Sequence, residues 1–534
     1  MARALVIGIG ESGLAMARWL ARQGWELRLA DTRPAPPMLA ALQAELPAAQ
    51  HAPGPWDAAL LEGVDLVALS PGLSPHHEPL QGLLALAAAR GTDVAGEIEL
   101  FARALADLAA RRAYAPRVIG ITGTNGKTTT VRMVARILEA AGRSVRAAGN
   151  ISPSALDALA AAIDADALPE FWVLELSSFQ LATTATLSCA AAAILNITQD
   201  HLDWHADFAD YRAAKLRIFA RATFRVINRD DPATRDLLQA AAPGAGPPEA
   251  GGASFGASAP QQQGEFGIVR EAAIAWLACT DEAPLPVRRR RGGREPAGAA
   301  LLGPAPLGQG ELPAVHRLMP AEALPVRGTH NALNALAALA LARAVGAPLA
   351  PALRALGSFV GEAHRTQTVA RIAGVEYVDD SKGTNVGATV AALQGLAATG
   401  GGADAAGDPR RIVVILGGEG KGQSFAPLAE AVGRHARAAV LIGRDAGRIA
   451  EALEGLDVAR VHAADLRAAV GVAADLARPG DIVLLSPACA SFDAFRNYAH
   501  RAEVFCAAVA ERAAAAEAAT AGSAADAQSP EPAP

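Results

Sequence analysis

Two glycine-rich segments, each lying between a short apolar run and a helical pattern, constrain the fold of this chain most strongly. The first is Gly8-Ile9-Gly10-Glu11-Ser12-Gly13, which follows Ala4–Ile7. The second is Gly123-Thr124-Asn125-Gly126-Lys127-Thr128-Thr129, which follows Val118–Thr122. A strand that ends in glycines and opens a helix presents backbone amides to phosphate groups. The sequence therefore predicts α/β domains with two phosphate-binding loops.

Short apolar runs alternate with Ala- and Leu-rich helical stretches along the chain. Continuous apolar strands joined by helices are typical of parallel sheets covered on both faces, so the predicted fold class is α/β. Ligands of such sheets lie at the carboxyl ends of the strands. The predicted strands are Ala4–Ile7, Leu27–Ala30, Val64–Leu69, Val118–Thr122, Trp172–Leu176, Ala192–Ile197, Ile412–Leu416, Val440–Ile442 and Ile482–Leu485.

Composition excludes several classes of protein. A chain of 534 residues that is 51% hydrophobic can bury several cores, about three at ordinary domain sizes, which excludes a disordered or fibrous protein. The net charge of −6 argues against a general nucleic-acid binder. No run approaches the ~18 apolar residues of a membrane helix, and the first residues predict a strand rather than a signal peptide. The scattered Cys189, Cys279, Cys489 and Cys506 do not predict a disulfide framework.

Three segments are predicted to lie outside the cores. Residues 240–263 and 281–320 are rich in Pro, Gly and charge, and the arginines at 288–291 are expected on a solvated loop. Residues 513–534 are rich in Ala, Ser, Pro and Glu and are predicted to form a disordered tail.

The first glycine-rich segment matches a dinucleotide-binding fingerprint. Asp31 lies 18 residues beyond Gly13, at the end of the next predicted strand, where an acid can take a ribose hydroxyl. Taken alone, this pattern indicates a nucleotide diphosphate, most commonly that of NAD. The alternative is that these glycines serve only the tight packing of the strand against the helix. The adjacent Thr32 and Arg33 suit a phosphate or a uracil edge.

The second segment indicates ATP. It has the shorter form G-x-x-G-K-T rather than the full P-loop pattern, since Ile121 stands where that pattern needs glycine. Backbone amides of residues 123–128 can surround phosphates, Lys127 can reach the β and γ oxygens, and Thr128 can bind Mg²⁺.

Acidic and histidine residues follow this loop. Glu175 ends a predicted strand, and a carboxylate there suits magnesium bound to phosphates. His201 and His205, with Asp200 and Asp203, are the ligand types of a zinc site. Phosphate-loop chemistry favours magnesium over this zinc alternative.

Three other features have ordinary structural alternatives. On composition alone, Lys215 is as readily an exposed helical lysine as a functional one. Asn331 and Asn334 share a helix face and suit an adenine edge, but helix capping would also explain them. Cys489 is more simply an apolar filler than a nucleophile, because no paired histidine is indicated.

Together the motifs resemble the Mur ligase family of ATP-dependent enzymes, which add amino acids to peptidoglycan precursors. The resemblance runs from Leu5 to about Phe505. Leu174–Leu181, Asp380–Asn385, Gly417–Lys421 and Ser486–Ser491 are similar to motifs of the D-glutamate-adding members. The Asn-Pro-Arg motif expected of diaminopimelate- or lysine-adding relatives is absent from the sequence. Folylpolyglutamate synthases share the phosphate loop but are not expected to carry the N-terminal domain.

The resemblance implies three domains, which are a UDP-binding domain at 1–96, an ATP-binding ligase domain at 97–361 and an amino-acid-binding domain at 362–512. The outer two are expected to be Rossmann-like. The implied reaction joins D-glutamate to UDP-N-acetylmuramoyl-L-alanine through an acyl phosphate, using ATP and two Mg²⁺ ions. A cytoplasmic monomer without nucleic-acid or membrane partners is expected. Another Mur-type or folylpolyglutamate-type ligase, an NAD-dependent oxidoreductase and a catalytically silent nucleotide-binding regulator are the alternatives.

The resemblance also assigns residues to each site. Catalysis and metal binding are expected of Lys127, Thr128, Glu175, His201 and Lys215, the last as a carbamate that turns a cation into an oxygen ligand. ATP binding is expected of Gly123, Thr124, Asn125, Gly126, Lys127, Thr128, Thr129, Asn331, Asn334, Arg365 and Asp380. The UDP-sugar is expected at Ser12, Asp31, Thr32, Arg33, Ser70, Asn150 and His201. D-Glutamate is expected at Thr384, Lys421, Ser491 and Tyr498.

Overall fold

The structure, a computed structural model, describes residues 2–53, 56–239, 251–272, 274–280, 313–399 and 411–526. The chain divides into two compact units. The first unit comprises Met1–Ile197, Trp204–Leu324 and Leu333–Phe359. The second comprises Thr198–Asp203, Pro325–Ala332 and Val360–Pro534. Each unit is built on sheets whose buried strands are apolar on both faces.

A five-stranded parallel sheet forms the amino-terminal part of the first unit, in the order β3-β2-β1-β4-β5. Its strands are β1 (Arg3–Ile7), β2 (Glu26–Ala30), β3 (Gln50–His51), β4 (Leu66–Leu69) and β5 (Asp93–Ala95). Ile7 is in register with Ala30 and with Leu69. The residues that follow these three strands therefore lie along one edge of the sheet.

A nine-stranded sheet forms the rest of the first unit, in the order β14-β13-β12-β11-β10-β9-β6-β8-β7. The strands from β7 across to β12 are parallel, and the β12–β13 and β13–β14 pairs are antiparallel. The strands are β6 (Arg117–Thr122), β7 (Val145–Gly149), β8 (Phe171–Glu175), β9 (Ala191–Ile194), β10 (Phe224–Asn228), β11 (Gly251–Phe255), β12 (Glu265–Glu271), β13 (Ile274–Cys279) and β14 (His316–Pro320). Glu175 is in register with Ile121 and Gly149, so these strand ends share an edge.

A six-stranded sheet forms the second unit, in the order β15-β16-β20-β17-β18-β19, with only the β15–β16 pair antiparallel among its described pairs. The strands are β15 (Gln367–Ile372), β16 (Val375–Asp379), β17 (Ile412–Gly417), β18 (Ala436–Ile442), β19 (Ala459–His462) and β20 (Ile482–Leu485). Leu485 is in register with Asp379 and Ile415, which aligns the motifs that follow these strands.

Helices connect the strands and cover the sheets. They are α1 (Glu11–Arg22), α2 (Leu39–Glu45), α3 (Leu80–Arg90), α4 (Glu97–Arg112), α5 (Lys127–Ala140), α6 (Ala155–Asp164), α7 (Ser178–Ala182), α8 (Phe208–Leu216), α9 (Pro232–Gln239), α10 (Thr329–Ala344), α11 (Leu349–Gly357), α12 (Val386–Thr399), α13 (Ala426–His435), α14 (Ala446–Ala452), α15 (Leu466–Leu476) and α16 (Tyr498–Asp526). Short 3₁₀ helices cover Ala58–Leu61, Arg217–Phe219 and Ala321–Ala323.

The predicted α/β class is confirmed, since each predicted apolar run overlaps an observed strand. Each of the three expected domains contains one sheet. The limits 1–96, 97–361 and 362–512 stay predictions.

Two of the segments predicted to lie outside the cores contribute strands. Residues 251–255 of the first form β11, in which Ala253 and Phe255 are buried. Residues 316–320 of the second form β14, which pairs with β13. The prediction was wrong there because a parallel or antiparallel neighbour supplies hydrogen bonds even to a short strand rich in Gly or Pro. Residues 240–250 and 281–312, with the four arginines, lie outside the described residues.

The predicted disordered tail is also partly wrong. Helix α16 continues through residues 513–526, whereas residues 527–534 lie outside the described part of the chain. Alanine is the best helix former, so an Ala-rich continuation adds turns to an existing helix at little cost. Arg467 contacts Glu511, and Arg512 lies 3.5 Å from Asp475, which holds α16 against α15.

Candidate functional site

The loop between β6 and α5 has the backbone of a phosphate site. Gly123 and Gly126 adopt φ of +157° and +84°, and α5 begins at Lys127. A Cβ at position 126 would lie 2.4 Å from Asn334 Oδ1, so Asn334 packs where only glycine fits. The Lys127 ammonium donates to the carbonyl oxygens of Gly123 and Thr124, both at 2.9 Å. The loop thus places a cation and helix N-terminal amides together.

Two residues that sequence reasoning did not select hold this loop. Asn196 Oδ1 accepts the Asn125 amide at 2.8 Å, and Asn196 Nδ2 donates to the Asn125 carbonyl at 3.1 Å. The Tyr211 hydroxyl lies 2.8 Å from Thr124 Oγ1. Both residues come from elements far along the chain, after β9 and on α8, and spacing alone does not bring them to the loop.

Glu175 ends β8 at the same edge as the loop. Asn150 Nδ2 donates a hydrogen bond to Glu175 Oε1 at 2.9 Å. Glu175 Oε2 is buried and has no hydrogen-bond partner among the described residues. A buried carboxylate oxygen without a partner is costly unless a cation binds it. With Thr128 buried at the start of α5, the donor set fits a magnesium ion.

Lys215 is buried, with 2% of its surface exposed, so the interpretation as a surface lysine was wrong. Its ammonium donates to the Gly123 carbonyl at 3.0 Å and to Thr122 Oγ1 at 3.4 Å. It also lies 4.8 Å from the centre of the Tyr211 ring. Helix α8 therefore places the Lys215 side chain against the phosphate loop.

His201 belongs to the second compact unit with residues 198–203. Its φ of +54° is left-handed, which is strained for a residue with a Cβ. Its Nε2 lies 3.5 Å from Asp200 Oδ2. Of the two histidines considered for zinc, His205 has both ring nitrogens engaged, by Ser178 and by Asp210.

Asp31 shapes the amino-terminal glycine-rich loop. Its carboxylate accepts the Ile9 amide at 2.7 Å and three N–H groups of Arg33, from N, Nε and Nη2. Burial would raise the pKa of Asp31, but these bonds outweigh it and lower the pKa to about 2. A carboxylate offers about four lone-pair sites, so Asp31 is saturated by the protein itself. Ser70 Oγ similarly donates to the Gly8 carbonyl at 2.6 Å.

In the second unit, Lys421 and Asn385 both contact Asp200. The Lys421 ammonium lies 2.6 Å from Asp200 Oδ1, and Asn385 Nδ2 donates to Asp200 Oδ2 at 3.2 Å. Lys421 has a left-handed φ of +50° on the loop after β17. The predicted cation is therefore held in a polar cluster that already binds one carboxylate.

Asp380 directly follows β16, which is separated from β17 by β20 in the same sheet. Ser486 Oγ donates to Asp380 Oδ2 at 2.7 Å, and the Thr366 amide donates to Oδ1 at 3.2 Å. Burial raises the pKa of Asp380 to about 7, against the opposing effects of Ser486 and of the Arg365 charge. Arg365 thus lies near enough to act on this carboxylate.

Arg501 is a buried cation that the sequence did not single out. It donates to Ser381 and to the carbonyls of Cys489 and Ala490, and it is itself 1% exposed. Burial lowers the pKa of Arg501 to about 10. Burial also raises the pKa of the Cys489 thiol to about 12, so this cysteine is not a thiolate nucleophile at neutral pH.

The other predicted residues differ in exposure. Ser12 and Thr384 are half-buried, and Thr32 and Arg33 are exposed. Thr129, Asn331, Asn334 and Ser491 are buried, and Tyr498 begins α16. Within the described ranges, the structure contains no helix with the length and apolar character to cross a membrane.

Comparison with family models gives three matches along the chain. Residues 2–96 match the Mur ligase MurD-like N-terminal domain, 121–247 the Mur ligase middle domain and 364–489 the Mur ligase glutamate ligase domain. A relative from Ralstonia nicotianae named UDP-N-acetylmuramoylalanine–D-glutamate ligase is 53% identical over 96% of this chain and 97% of its own. One from Burkholderia ambifaria with the same name is 54% identical over 95% and 96%.

Solved structures share the fold at low identity. The UDP-N-acetylmuramate-alanine ligase of Thermotoga maritima matches 95% of this chain and 98% of its own, with a TM-score of 0.52 and 20% identity. The folylpolyglutamate synthase of Mycobacterium tuberculosis complexed with ADP covers 74% of this chain and 93% of its own, with a TM-score of 0.52 and 20% identity.

Proposed function

This chain belongs to the Mur ligase family, and on that premise we propose that it is an ATP-dependent ligase joining D-glutamate to UDP-N-acetylmuramoyl-L-alanine in peptidoglycan synthesis. The observation that carries the proposal is the identity of 53% over 96% of the chain to a relative of that name. We propose that the enzyme acts in the cytoplasm as a monomer.

The reaction needs an activated carboxylate, because a carboxylate is a poor electrophile. The carboxylate oxygen of the L-alanine moiety attacks the γ-phosphorus of ATP, and ADP leaves with the broken bond's electron pair. The amine of D-glutamate then attacks the acyl phosphate, loses a proton and expels inorganic phosphate. Positioning and charge neutralisation lower such barriers. Lys127, placed at the loop carbonyls, would move onto the transferring phosphoryl group.

Magnesium would be held by Thr128, Glu175, His201 and Lys215 as a carbamate. The ion supplies positive charge to the phosphate oxygens when bound. The buried, unpartnered Oε2 of Glu175 supports this assignment. Burial of Lys215 beside Gly123 supports a role for its side chain at the loop.

The substrate sites are assigned as follows. The UDP-sugar would be bound by Ser12, Thr32, Arg33, Ser70, Asn150 and His201, with Asp31 acting through the shape of the loop. The nucleotide would be bound by residues 123–129 with Asn331, Asn334, Arg365 and Asp380. D-Glutamate would be bound by Thr384, Lys421, Ser491 and Tyr498. The saturated carboxylate of Asp31 disfavours the oxidoreductase alternative, because that fingerprint needs a free acid for the ribose.

The deciding experiment is phosphate release from ATP in the presence of UDP-N-acetylmuramoyl-L-alanine, with D-glutamate, L-glutamate or diaminopimelate as the amine. We expect phosphate release with D-glutamate but not with L-glutamate or diaminopimelate. Release with diaminopimelate would assign the chain to another ligation step. ATP binding without release would favour a silent regulator, and tight NAD(H) binding would favour an oxidoreductase.

We predict that Lys215→Ala nearly abolishes turnover and that formate or acetate restores part of it, because a small carboxylate can replace the missing carbamate. Lys215→Arg keeps the positive charge and fills the cavity but cannot form a carbamate, so it should be inactive and unresponsive. Removal of CO₂ and bicarbonate at low pH should also lower wild-type activity. A fully active Lys215→Ala that ignores added formate would remove Lys215 from the site.

A further inference from the structure

Four side chains of the first unit form a hydrogen-bonded chain, here called the His205 chain. His205 Nε2 lies 3.0 Å from Ser178 Oγ, and His205 Nδ1 lies 2.7 Å from Asp210 Oδ2. His76 Nε2 lies 3.1 Å from the same Asp210 oxygen. The His205 side chain has no exposed surface, so each of its nitrogens depends on these partners.

The protonation of this chain follows from its surroundings. Burial lowers the pKa of His205, against the hydrogen bond and charge of Asp210. Hydrogen bonds and nearby histidines lower the pKa of Asp210 despite its partial burial. At neutral pH His205 is therefore uncharged and Asp210 is a carboxylate. Nδ1–H then donates to Asp210, and Nε2 accepts the Ser178 hydroxyl.

The distances match those of a hydrolytic Ser–His–Asp arrangement, but the burial does not. Ser178 is 2% exposed and begins α7, so a substrate carbonyl has no access to its oxygen. Since these side chains cannot reach a substrate, they can affect the reaction only through the residues that they contact.

The His205 chain joins the two segments that carry the proposed metal ligands. Ser178 begins α7, three residues beyond Glu175 at the end of β8. Asp210 lies on α8, five residues before Lys215. The same helix carries Tyr211, whose hydroxyl contacts Thr124 of the phosphate loop.

Aromatic packing keeps the imidazole in place. Trp204 and Phe179 stack with ring centres 4.5 Å apart, and the Trp204 and His205 rings are also separated by 4.5 Å. Ser74 Oγ donates to the Trp204 carbonyl at 2.5 Å. His205 is thus fixed by its ring faces as well as by its nitrogens.

We propose that His205 is a positioning residue of the ligase site, which sets the spacing between Glu175 at the end of β8 and Lys215 on α8. The inference rests on the proposed function, in which these two side chains share a metal site. Partners that orient metal ligands are worth about 10- to 100-fold in metal affinity or activity.

Three variants separate positioning from simple stability. His205→Asn keeps an amide N–H near the Nδ1 position for Asp210 but has no group for Ser178. Ser178→Ala keeps the imidazole and its packing but removes the hydroxyl. His316→Asn is the matched control, because His316 is exposed on β14 of the same unit.

The measurements are Mn²⁺ affinity in the presence of a non-hydrolysable ATP analogue, followed by the paramagnetic resonance of free Mn²⁺, and the steady-state constants. We expect His205→Asn and Ser178→Ala to weaken Mn²⁺ binding and lower kcat about 10- to 100-fold, with KM for D-glutamate unchanged. His316→Asn should match the wild type.

Wild-type Mn²⁺ affinity and kcat in folded His205→Asn would overturn the inference. Should His205→Asn fail to melt cooperatively, Ser178→Ala decides, and unchanged Mn²⁺ affinity there overturns it equally. A wild type that releases no phosphate with D-glutamate would instead refute the proposed function, because the Mn²⁺ measurement does not depend on turnover.

Discussion

At the scale of single residues, three non-glycine residues of the motifs assigned to substrates have a left-handed backbone. His201, Lys421 and Ala488 adopt φ of +54°, +50° and +59°, a region that favours glycine. Such conformations cost about 1–3 kcal/mol each and persist where the surroundings impose them. Sequence alone does not predict them, because each residue is an ordinary one and the constraint comes from its neighbours.

Glu97 is a second residue whose role only the structure explains. It begins α4, and its Oε1 accepts the amides of Ala155 and Leu156 at 2.6 and 3.3 Å. Burial raises the pKa of Glu97 from 4.5 to about 7, against the amide hydrogen bonds. Helical patterning would place an acid at this position on a solvated first turn, whereas here it joins α4 to the start of α6.

We predict that Glu97→Gln raises the free energy of unfolding more at pH 8 than at pH 5. The native carboxyl binds a proton between pH 4.5 and about 7 that the unfolded chain releases, so wild-type stability falls as the pH rises through this range. The loss is at most about 3 kcal/mol, and glutamine removes it. Urea unfolding at the two pH values measures the difference. The exposed Glu62→Gln is the control, and equal effects of Glu97→Gln at both pH values would contradict the assignment.

For individual residues, the sequence predicted those positions that depend only on neighbouring residues in the chain. Glu175 could be placed at a strand end and Lys127 at a helix start because each belongs to an element with a recognisable sequence pattern. The burial of Lys215, and the contacts of Asn196 and Tyr211 with the phosphate loop, depend on long-range packing. No periodicity in the sequence encodes those contacts.

At the scale of elements, continuously apolar strands were predictable and strands of mixed composition were not. β17 and β20 are continuous apolar runs and agree with the prediction within one residue at each end. β11 begins with two glycines and β14 ends in proline, so neither has the composition of a strand. Pairing with a formed neighbour determines such strands, which is information that local composition lacks.

The start of α5 gives a prediction with an internal control. Gly126→Ala and Gly142→Ala both put a Cβ at positive φ, +84° and +78°, and so share the strain, but only the Cβ at 126 collides with Asn334. We expect Gly126→Ala to lower kcat/KM for ATP about 100-fold, since small displacements of catalytic groups have effects of that size. Gly142→Ala should lose stability and keep its activity. Equal kinetics in the two variants would show that the contact with Asn334 is unimportant.

At the scale of the whole molecule, the phosphate loop and the residues proposed for D-glutamate lie in different compact units. The phosphate loop with Lys127 and Lys215 belongs to the first, and the cluster of Lys421, Asn385 and Asp200 belongs to the second. Lys127 and Lys215 are assigned to ATP and its metal and Lys421 to D-glutamate, so substitutions at these positions should affect different substrates.

We predict that Lys421→Ala raises KM for D-glutamate about 10- to 100-fold, because a hydrogen bond to a charged group contributes about 1.5–3 kcal/mol. KM for ATP should remain near the wild-type value. Arg434→Ala removes an exposed cation of the same unit and should change neither constant. A rise in KM for ATP alone would assign Lys421 to the nucleotide.

The contact between Gly126 and Asn334 also restricts how this sequence can diverge. The two positions are far apart in the chain, yet the space beside one backbone is filled by the side chain of the other. A larger residue at 126 becomes tolerable only after position 334 has shortened, and shortening it first leaves a gap against the loop. Either order of substitution therefore passes through an intermediate sequence with impaired function. Descendants of this chain should therefore keep the pair together or lose it together.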